Sequence, residues 1–303
     1  MLVGYAPDGR GRAVLHLAGM LARSGDDDLL LCAVVPAAWP PGPARVDAEY
    51  REHVEREAGE VLDRALERLD DVSAATLVYH ARSVPAGLLE VAEQREASLI
   101  VTGSAAAGGA GTVTLGSTTS RLLHSSPLPV ALAPRGFRAA RDARVTRVTA
   151  AYGGAGDDLV VGAAAVAAGV GATLRLASFA VQPRAPYTVA VGREADDSAV
   201  REWMDEIGAA QRAVLDRVRD LPSVPAECEA AVGRGESWED ALDDVEWAPG
   251  DVLVVGSSSI GPVARVFLGS RSAKIVQHSP VPVVVVPRGV AEEFADEAES
   301  ATA

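Results

Sequence analysis

The chain reads VTGSAAAGGAGTVTLGSTTSRLLHSSPLPVALAPRG over residues 101–136 and VVGSSSIGPVARVFLGSRSAKIVQHSPVPVVVVPRG over residues 254–289. The two stretches align without a gap at a constant offset of 153 residues. In each, a strand-like run ends in Gly-Ser, a loop follows, and a second Gly-Ser opens a helix-like run. Because similarity at a domain-sized spacing marks a duplicated unit, the 303 residues are predicted to form two domains of one design.

The duplication sets the predicted domain boundaries. We expect a first domain over residues 1–136, a linker over 137–144, a second domain over 145–289 and an acidic disordered tail over 290–303. The tail prediction rests on the closing sequence AEEFADEAESATA, which carries no basic residue. Residues 182–197, ahead of the longest helical pattern, are interpreted as an oversized loop, a candidate lid or contact surface.

Within each half, apolar runs of strand length alternate with helical patterns. Residues 28–35 read DLLLCAVV, and between residues 50 and 69 apolar side chains recur at i, i+3, i+4 and i+7. Continuous apolar strands that alternate with helices are typical of parallel sheets covered on both faces. We therefore predict the α/β class, as two tandem doubly wound domains, each a mostly parallel five-stranded sheet with helices on both faces in a Rossmann-like arrangement.

Charge and composition exclude several classes of partner. A formal net charge of −14 disfavours nucleic acid, since neutralising phosphates requires a basic surface. No apolar run reaches the roughly 18 to 20 residues of a membrane-spanning helix, and strand-like residues begin at Met1. We therefore expect a cytoplasmic protein with no signal peptide and no membrane contact. Cys32 and Cys228 occupy non-equivalent strand-like runs, which favours buried free thiols over a disulfide.

The loops that follow the fourth strand of each half form the candidate binding site. In an open parallel sheet, a ligand sits beyond the carboxyl ends of the strands, where neighbouring crossovers leave in opposite directions. Glycine lets the backbone approach a bound group, a helix N-terminus offers N–H donors with partial positive charge, and serine adds a hydroxyl. Together these features are what a phosphate-binding site needs. The candidate residues are Gly103, Ser104, Gly116 and Ser117 in the first half and Gly256, Ser257, Ser259, Gly269 and Ser270 in the second. The helix that ends the first half is predicted over residues 113–124.

These residues give the chain a resemblance to the universal stress protein family, over essentially its whole length as two tandem copies. Nucleotide-binding members of that family carry G-x2-G-x9-G-[S/T] at this place. The outer glycines and the hydroxyl residue of that motif are matched by Gly103, Gly116 and Ser117 in one half and by Gly256, Gly269 and Ser270 in the other. The resemblance implies a fold like that of the adenine nucleotide alpha-hydrolases, ATP as ligand with Mg²⁺ beside it, and a role in stress response.

The chain also departs from the family motif. The middle glycine is replaced by Ala106 and by Ser259. In ATP-binding members the first strand ends in an aspartate that serves the adenosine end of the ligand, and Ala6 and Gly153 stand at the matching positions. Asp8, two residues after the first of these, is a candidate substitute.

Two functional hypotheses therefore stay open. The first is binding of an adenine nucleotide at one or both loops, with the second domain favoured because residues 257–259 are all serine and Arg265 lies within reach of a phosphate. The second is a nucleotide-free family member that acts through contacts with an unknown protein partner, using residues 182–197 and the acidic surface. The lost glycines and aspartates favour the second hypothesis.

Catalysis is not expected from the sequence. The chain contains neither a G-x-S-x-G nucleophile elbow nor a GxxxxGK[ST] loop, and its five histidines show no metal-binding spacing. Slow nucleotide hydrolysis would need a positioned water and a base, which the sequence does not identify. We therefore predict a binding protein with no metal site of its own.

The resemblance further implies how the two halves meet. Family members commonly dimerise through the last strand, and in tandem proteins the halves tend to pair in the same way. An apolar last strand at a sheet edge must be covered. We expect Val130–Ala133 and Val283–Val286 to pair across an internal pseudo-two-fold axis, giving an intrachain pseudo-dimer, with a further homodimer left open.

Overall fold

Strands and helices alternate along both halves of the chain. The computed structural model describes residues 1–6, 11–36, 44–105, 111–182, 190–257 and 269–301, with residues 44–50 and 190–199 as backbone only. The first half runs β1 (Leu2–Gly4), α1 (Gly11–Gly25), β2 (Leu29–Pro36), α2 (Ala44–Leu66), β3 (Ala74–Ala81), α3 (Val84–Gln94), β4 (Ile100–Gly103), α4 (Ser117–Ser125) and β5 (Val130–Ala133). The second half runs β6 (Arg147–Ala151), α5 (Asp157–Gly169), β7 (Thr173–Val181), α6 (Ala190–Arg219), β8 (Cys228–Gly235), α7 (Trp238–Asp243), β9 (Asp251–Gly256), α8 (Ser270–His278), β10 (Val283–Val286) and α9 (Arg288–Ser300).

The strands form one continuous sheet. Its order is β3-β2-β1-β4-β5-β10-β9-β6-β7-β8. Each half contributes five strands in the same parallel order, so the predicted doubly wound α/β fold is confirmed in both copies. Helices cover both faces of the sheet, with α1, α2, α5, α6 and α9 on one side and α3, α4, α7 and α8 on the other. No helix among the described residues has the length and apolar character needed to cross a membrane.

The two halves meet where their last strands pair. β5 and β10 run antiparallel, with Val284 opposite Ala131 and Val285 opposite Val130. All four residues of β5 are fully buried. The predicted contact between the two apolar strands is therefore present, and it leaves neither strand as a free edge.

The acidic end of the chain is not disordered, contrary to the sequence prediction. Residues up to Ser300 form helix α9, which packs on α5 through buried Ala291 and Ala295. Phe294 lies against Gly162 of α5, and Glu299 accepts a hydrogen bond from Arg217 of α6 at 2.9 Å. The sequence hides this helix because its apolar stripe consists mostly of alanines, while the charge that suggests disorder lies on the opposite face.

Two other helix boundaries differ from prediction. Helix α6 begins at Ala190, inside the stretch interpreted as a loop, of which residues 183–189 lie outside the described part. Apart from Val191, residues 190–199 are small or charged, so the periodicity signal there is weak, although a helix extends readily from a formed segment. Helix α4 begins at Ser117 rather than at residue 113, because Val113 is buried in the core as extended chain.

The two cysteines are free thiols, as predicted. Cys32 is buried and Cys228 is half-buried, and neither forms a disulfide. Burial raises the pKa of the Cys32 thiol to about 11, so this group stays protonated and behaves as a small apolar side chain.

Candidate functional site

The Gly-Ser loops lie at the switch points of the sheet. β1 pairs with β2 on one side and with β4 on the other, so the crossovers that follow β1 and β4 leave in opposite directions. β6, between β7 and β9, repeats this arrangement in the second half. The first Gly-Ser loop (103–117) and the second (256–270) therefore begin at the edge where doubly wound sheets bind ligands.

The start of the first loop is fixed by its own backbone. Ser104 donates its N–H to the Ala133 carbonyl at 3.0 Å, and Ala105 donates to the Thr114 carbonyl at 2.8 Å. The Ser104 hydroxyl accepts the Thr114 N–H at 2.7 Å. Ser104 therefore joins the start of the loop to Thr114 near its end. Its hydroxyl stabilises the fold in addition to any ligand contact.

Helix α4 begins at a glycine that no side chain caps. Gly116 is the N-cap residue, with φ of −77° and ψ of 173°. A Cβ atom there would lie 3.0 Å from the Ala105 Cβ, so glycine allows the helix to start close to the strand exit. Ser117, the first helical residue, is exposed. Among the described residues, no side chain caps the N–H groups of the first turn of α4.

A hydroxyl from the helix ties its first turn to the strand. The buried Thr119 donates its hydroxyl to the Gly103 carbonyl at 3.2 Å. Ser272, at the equivalent place in α8, donates to the Gly256 carbonyl at the same 3.2 Å. Sequence reasoning missed both residues, although hydroxyl side chains at matching positions of the repeat were the available signal.

The second loop keeps the same frame. Ser257 donates its N–H to the Val286 carbonyl at 2.9 Å, and its hydroxyl accepts the Arg288 N–H at 3.0 Å. Gly269 is an N-cap with no side-chain hydrogen bond, and Ser270 after it is exposed. Three candidate site residues, Asp8, Ser259 and Arg265, lie outside the described part of the chain, as does Ala106, which replaces the middle glycine of the motif.

The ends of β1 and β6 are the places where the resemblance predicts an aspartate for the adenosine end of the ligand. Ala6 and Gly153 are exposed and carry no polar side chain. In the second half, Asp157 opens α5 and accepts a hydrogen bond from the Tyr152 hydroxyl at 3.0 Å. Burial, together with this bond, raises the pKa of Tyr152 to about 12, so the phenol stays protonated. Asp157 is thus a half-buried carboxylate beside the β6 exit that sequence reasoning overlooked.

Comparison with known proteins agrees with this arrangement of two equal halves. The model of the universal stress protein family matches residues 1–134 and again residues 147–287. The chain belongs to the universal stress protein family. The unmatched residues between the two matches include the predicted linker, and residues 288–303 follow the second match.

Named relatives support the family assignment over the whole length. A universal stress protein of Mycobacterium tuberculosis is 40% identical over 294 residues, covering 95% of this chain and 99% of the relative. One from Mycobacterium bovis shows the same identity and coverage. The tandem arrangement is therefore shared with these universal stress proteins rather than peculiar to this chain.

Solved structures share the fold. The crystal structure of a universal stress protein from Archaeoglobus fulgidus superposes with a TM-score of 0.63 at 21% identity, covering 95% of this chain and 98% of the other. A protein of unknown function from Pseudomonas aeruginosa gives 0.54 at 14% identity, over 98% and 95% of the two chains. At these identities the likeness concerns the fold alone.

Proposed function

We propose that this universal stress protein binds an adenine nucleotide, ATP with Mg²⁺, at the Gly-Ser loops of one or both domains and acts in stress response by binding. The observation that carries the proposal is the pair of uncapped helix starts. Gly116 and Gly269 open α4 and α8 without a side-chain cap, in the two places where the sheet changes direction. A helix N-terminus with unsatisfied N–H groups favours a phosphate through hydrogen bonds and the helix dipole.

The bond between helix and strand supports the same proposal. Thr119 and Ser272 hold the first turns of their helices against the carbonyls of Gly103 and Gly256. A phosphate site gains affinity when its donors are fixed before the ligand arrives, because less ordering is needed on binding. Ser117 and Ser270, which are exposed at these helix starts, add one hydroxyl donor each.

The second domain is the better candidate for the nucleotide. Asp157 offers a carboxylate at the β6 exit, the place that serves the adenosine end of the ligand in ATP-binding family members. Its bond from Tyr152 fixes the position of the carboxylate and leaves oxygen lone pairs for a ribose hydroxyl. The first domain has exposed Ala6 at the corresponding strand end.

A nucleotide-free function remains the competing proposal. The hydroxyls of Ser104 and Ser257 already bond to backbone groups of the protein. Together with Ala106 and Ser259 in place of the middle glycines, this observation favours a universal stress protein that works through a protein partner.

Calorimetric titration with ATP and Mg²⁺ separates the two proposals. Ser117→Asp and Ser270→Asp each place a carboxylate at a helix N-terminus, where it stabilises the helix and repels a phosphate. We expect Ser270→Asp to abolish binding if the second domain holds the nucleotide, with Ser117→Asp as the matched variant for the first. Substitution of Gly116 is less informative, because a side chain there would press on Ala105.

The neutral variants Ser117→Ala and Ser270→Ala serve as controls, since each removes one hydroxyl without adding charge. We expect them to weaken ATP binding by less than about tenfold. No heat for the wild-type protein at millimolar ATP would end the nucleotide proposal. The protein-contact proposal would then stand alone.

A further inference from the structure

A groove lined by cationic side chains lies on the first domain, and its lining includes none of the residues proposed to bind the nucleotide. Its volume is about 290 Å³, and it lies between α1, the chain just after α2, and the linker between the domains. We call this the basic groove. It is lined by Arg12, His16, Arg23, Arg68, Arg138 and Arg141.

The sequence brings these side chains together from three separate segments. Arg12, His16 and Arg23 are spaced by four and seven residues on α1, which places them on one face of the helix. Arg68 follows the end of α2, and Arg138 lies in the linker. The linker carries arginines at every third position from Arg135 to Arg144, and the fold places those of α1 and Arg68 beside it.

Part of this charge is neutralised and part is not. Arg23 donates through Nε and Nη2 to the Asp71 carboxylate at 2.5 and 3.2 Å, and Arg141 pairs with Asp70. Among the described residues, no carboxylate forms an ion pair with the other three arginines, which are exposed: Arg12, Arg68 and Arg138. The groove therefore keeps an excess of positive charge.

That excess is unusual for this protein. The whole chain has a formal net charge of −14. Like charges placed around one groove repel each other and destabilise the fold unless something else neutralises them. Burial lowers the pKa of His16 most, and the charges of Arg138, Arg23 and Arg68 lower it further.

Among the described residues of the second half, the helix that corresponds to α1 offers no counterpart to the arginines of the groove. Helix α5, which occupies the place of α1, contains no basic residue. Its outer face is covered by α9. The basic groove is thus not a by-product of the repeated fold, since the same frame is closed by an apolar contact in the other domain.

We propose that the basic groove binds a small polyvalent phosphate anion, held by Arg12, Arg68 and Arg138 between α1 and the linker. Guanidinium groups bind phosphate oxygens through paired, charge-assisted hydrogen bonds. The two arginines already paired with aspartates fix the walls of the groove: Arg141 ties the linker to Asp70, and Arg23 contacts the Ala143 carbonyl at 3.4 Å. The lining of the site shares no residue with the Gly-Ser loops, and the proposal does not depend on the nucleotide proposal.

Inorganic triphosphate is the probe, titrated by calorimetry at low salt. The test variant carries Arg12→Gln, Arg68→Gln and Arg138→Gln. The matched control carries Arg95→Gln, Arg212→Gln and Arg234→Gln, three exposed arginines outside the groove whose loss changes the net charge equally. A third variant, Ser117→Asp with Ser270→Asp, closes both Gly-Ser loops to the same anion.

We expect a binding site whose affinity falls by at least about tenfold in the groove variant. The control variant should bind as the wild type does, and the closed-loop variant should keep this site. The proposal is overturned if the wild-type protein gives no heat, if both arginine variants lose affinity equally, or if the closed-loop variant abolishes binding. The last result would assign the triphosphate to the Gly-Ser loops instead.

Discussion

Thr119 donates its hydroxyl to the carbonyl of Gly103 at 3.2 Å, joining the first turn of α4 to the end of β4. Ser272 and Gly256 repeat the bond in the second domain at the same length. The frame that duplication preserves is therefore more than a pair of glycines. It includes a hydroxyl that sets the distance between strand exit and helix start.

Thr119→Val tests this bond with little change of side-chain shape. We expect the free energy of unfolding to fall by about 1 kcal/mol, because the half-buried Gly103 carbonyl loses its hydroxyl partner. Denaturant unfolding measures the change, and Thr118→Val one residue earlier is the matched control. Equal effects of the two variants would show that the hydroxyl bond contributes nothing.

A partly buried ion pair at the opposite edge of the second domain predicts a larger effect. Asp251, whose side chain is 1% exposed, accepts from Nη2 of Arg147 at 2.5 Å and from the Ala248 N–H at 2.9 Å. Asp251→Ala should lower the free energy of unfolding by about 3 kcal/mol, because the Arg147 charge loses its buried partner.

The control for that variant is Asp216→Ala, which removes an exposed partner of Arg219 in α6. Exposed pairs of this kind contribute at most about 1 kcal/mol. If thermal unfolding showed the same loss for both aspartates, burial would not be the reason for the effect.

Helix α9 gives a prediction about the end of the chain. A Cβ atom at Gly162 would lie 3.1 Å from the Phe294 Cβ. Gly162→Leu should therefore push α9 off α5 and destabilise the protein by about 1–3 kcal/mol. Adding Phe294→Ala should recover part of that loss, since removal of the ring makes room for the end of the leucine side chain, although the contact at Cβ persists.

Hydrogen exchange measures the effect on α9 directly, and its amides should exchange faster in Gly162→Leu alone. Gly169→Leu is the control, because a Cβ there meets no atom within 4 Å. Unchanged exchange in α9 would contradict the docking of this helix on α5.

The fold could be predicted from the sequence because its signals are local and occur twice. The apolar runs that became β5 and β10, and the glycines that start α4 and α8, are read directly from the repeat. Helix α9 could not be predicted in this way. Small alanines such as Ala291 and Ala295 form a weak apolar face, which is recognisable as a packing surface only once α5 is known to lie beneath it.

Some residues of the candidate site could likewise be predicted from local sequence, and others could not. Gly103 and Gly116 were predicted, since glycine marks close approach of the backbone. The roles of Thr119 and Asp157 depend on which carbonyl or phenol lies next to them, and no local pattern contains that information. The basic groove is the feature least predictable from local sequence, because its arginines come from segments far apart in the chain.

His16 gives a pH-dependent prediction for the basic groove. Burial is the largest cause that lowers its pKa below 6.5, followed by the charge of Arg138, with Arg23 and Arg68 adding to it and a backbone hydrogen bond at Ala139 opposing it. Since the pKa is lower in the folded than in the unfolded state, the unfolded chain binds more protons at acidic pH. Stability from this group should therefore be complete above pH 6.5 and fall as the pH drops below it.

NMR titration of the His16 ring measures this field residue by residue. Arg138→Gln should raise the pKa of His16, because it removes the positive charge that lowers this pKa most, and Arg95→Gln, outside the groove, should not. Arg12 on the same helix and the Asp71 carboxylate beside Arg23 stay in place in both variants. Saturating triphosphate should raise the pKa in the wild-type protein, since a bound anion favours the imidazolium. If the pKa of His16 changed neither in Arg138→Gln nor with triphosphate, burial alone would be the cause of its low pKa and no anion would enter the groove.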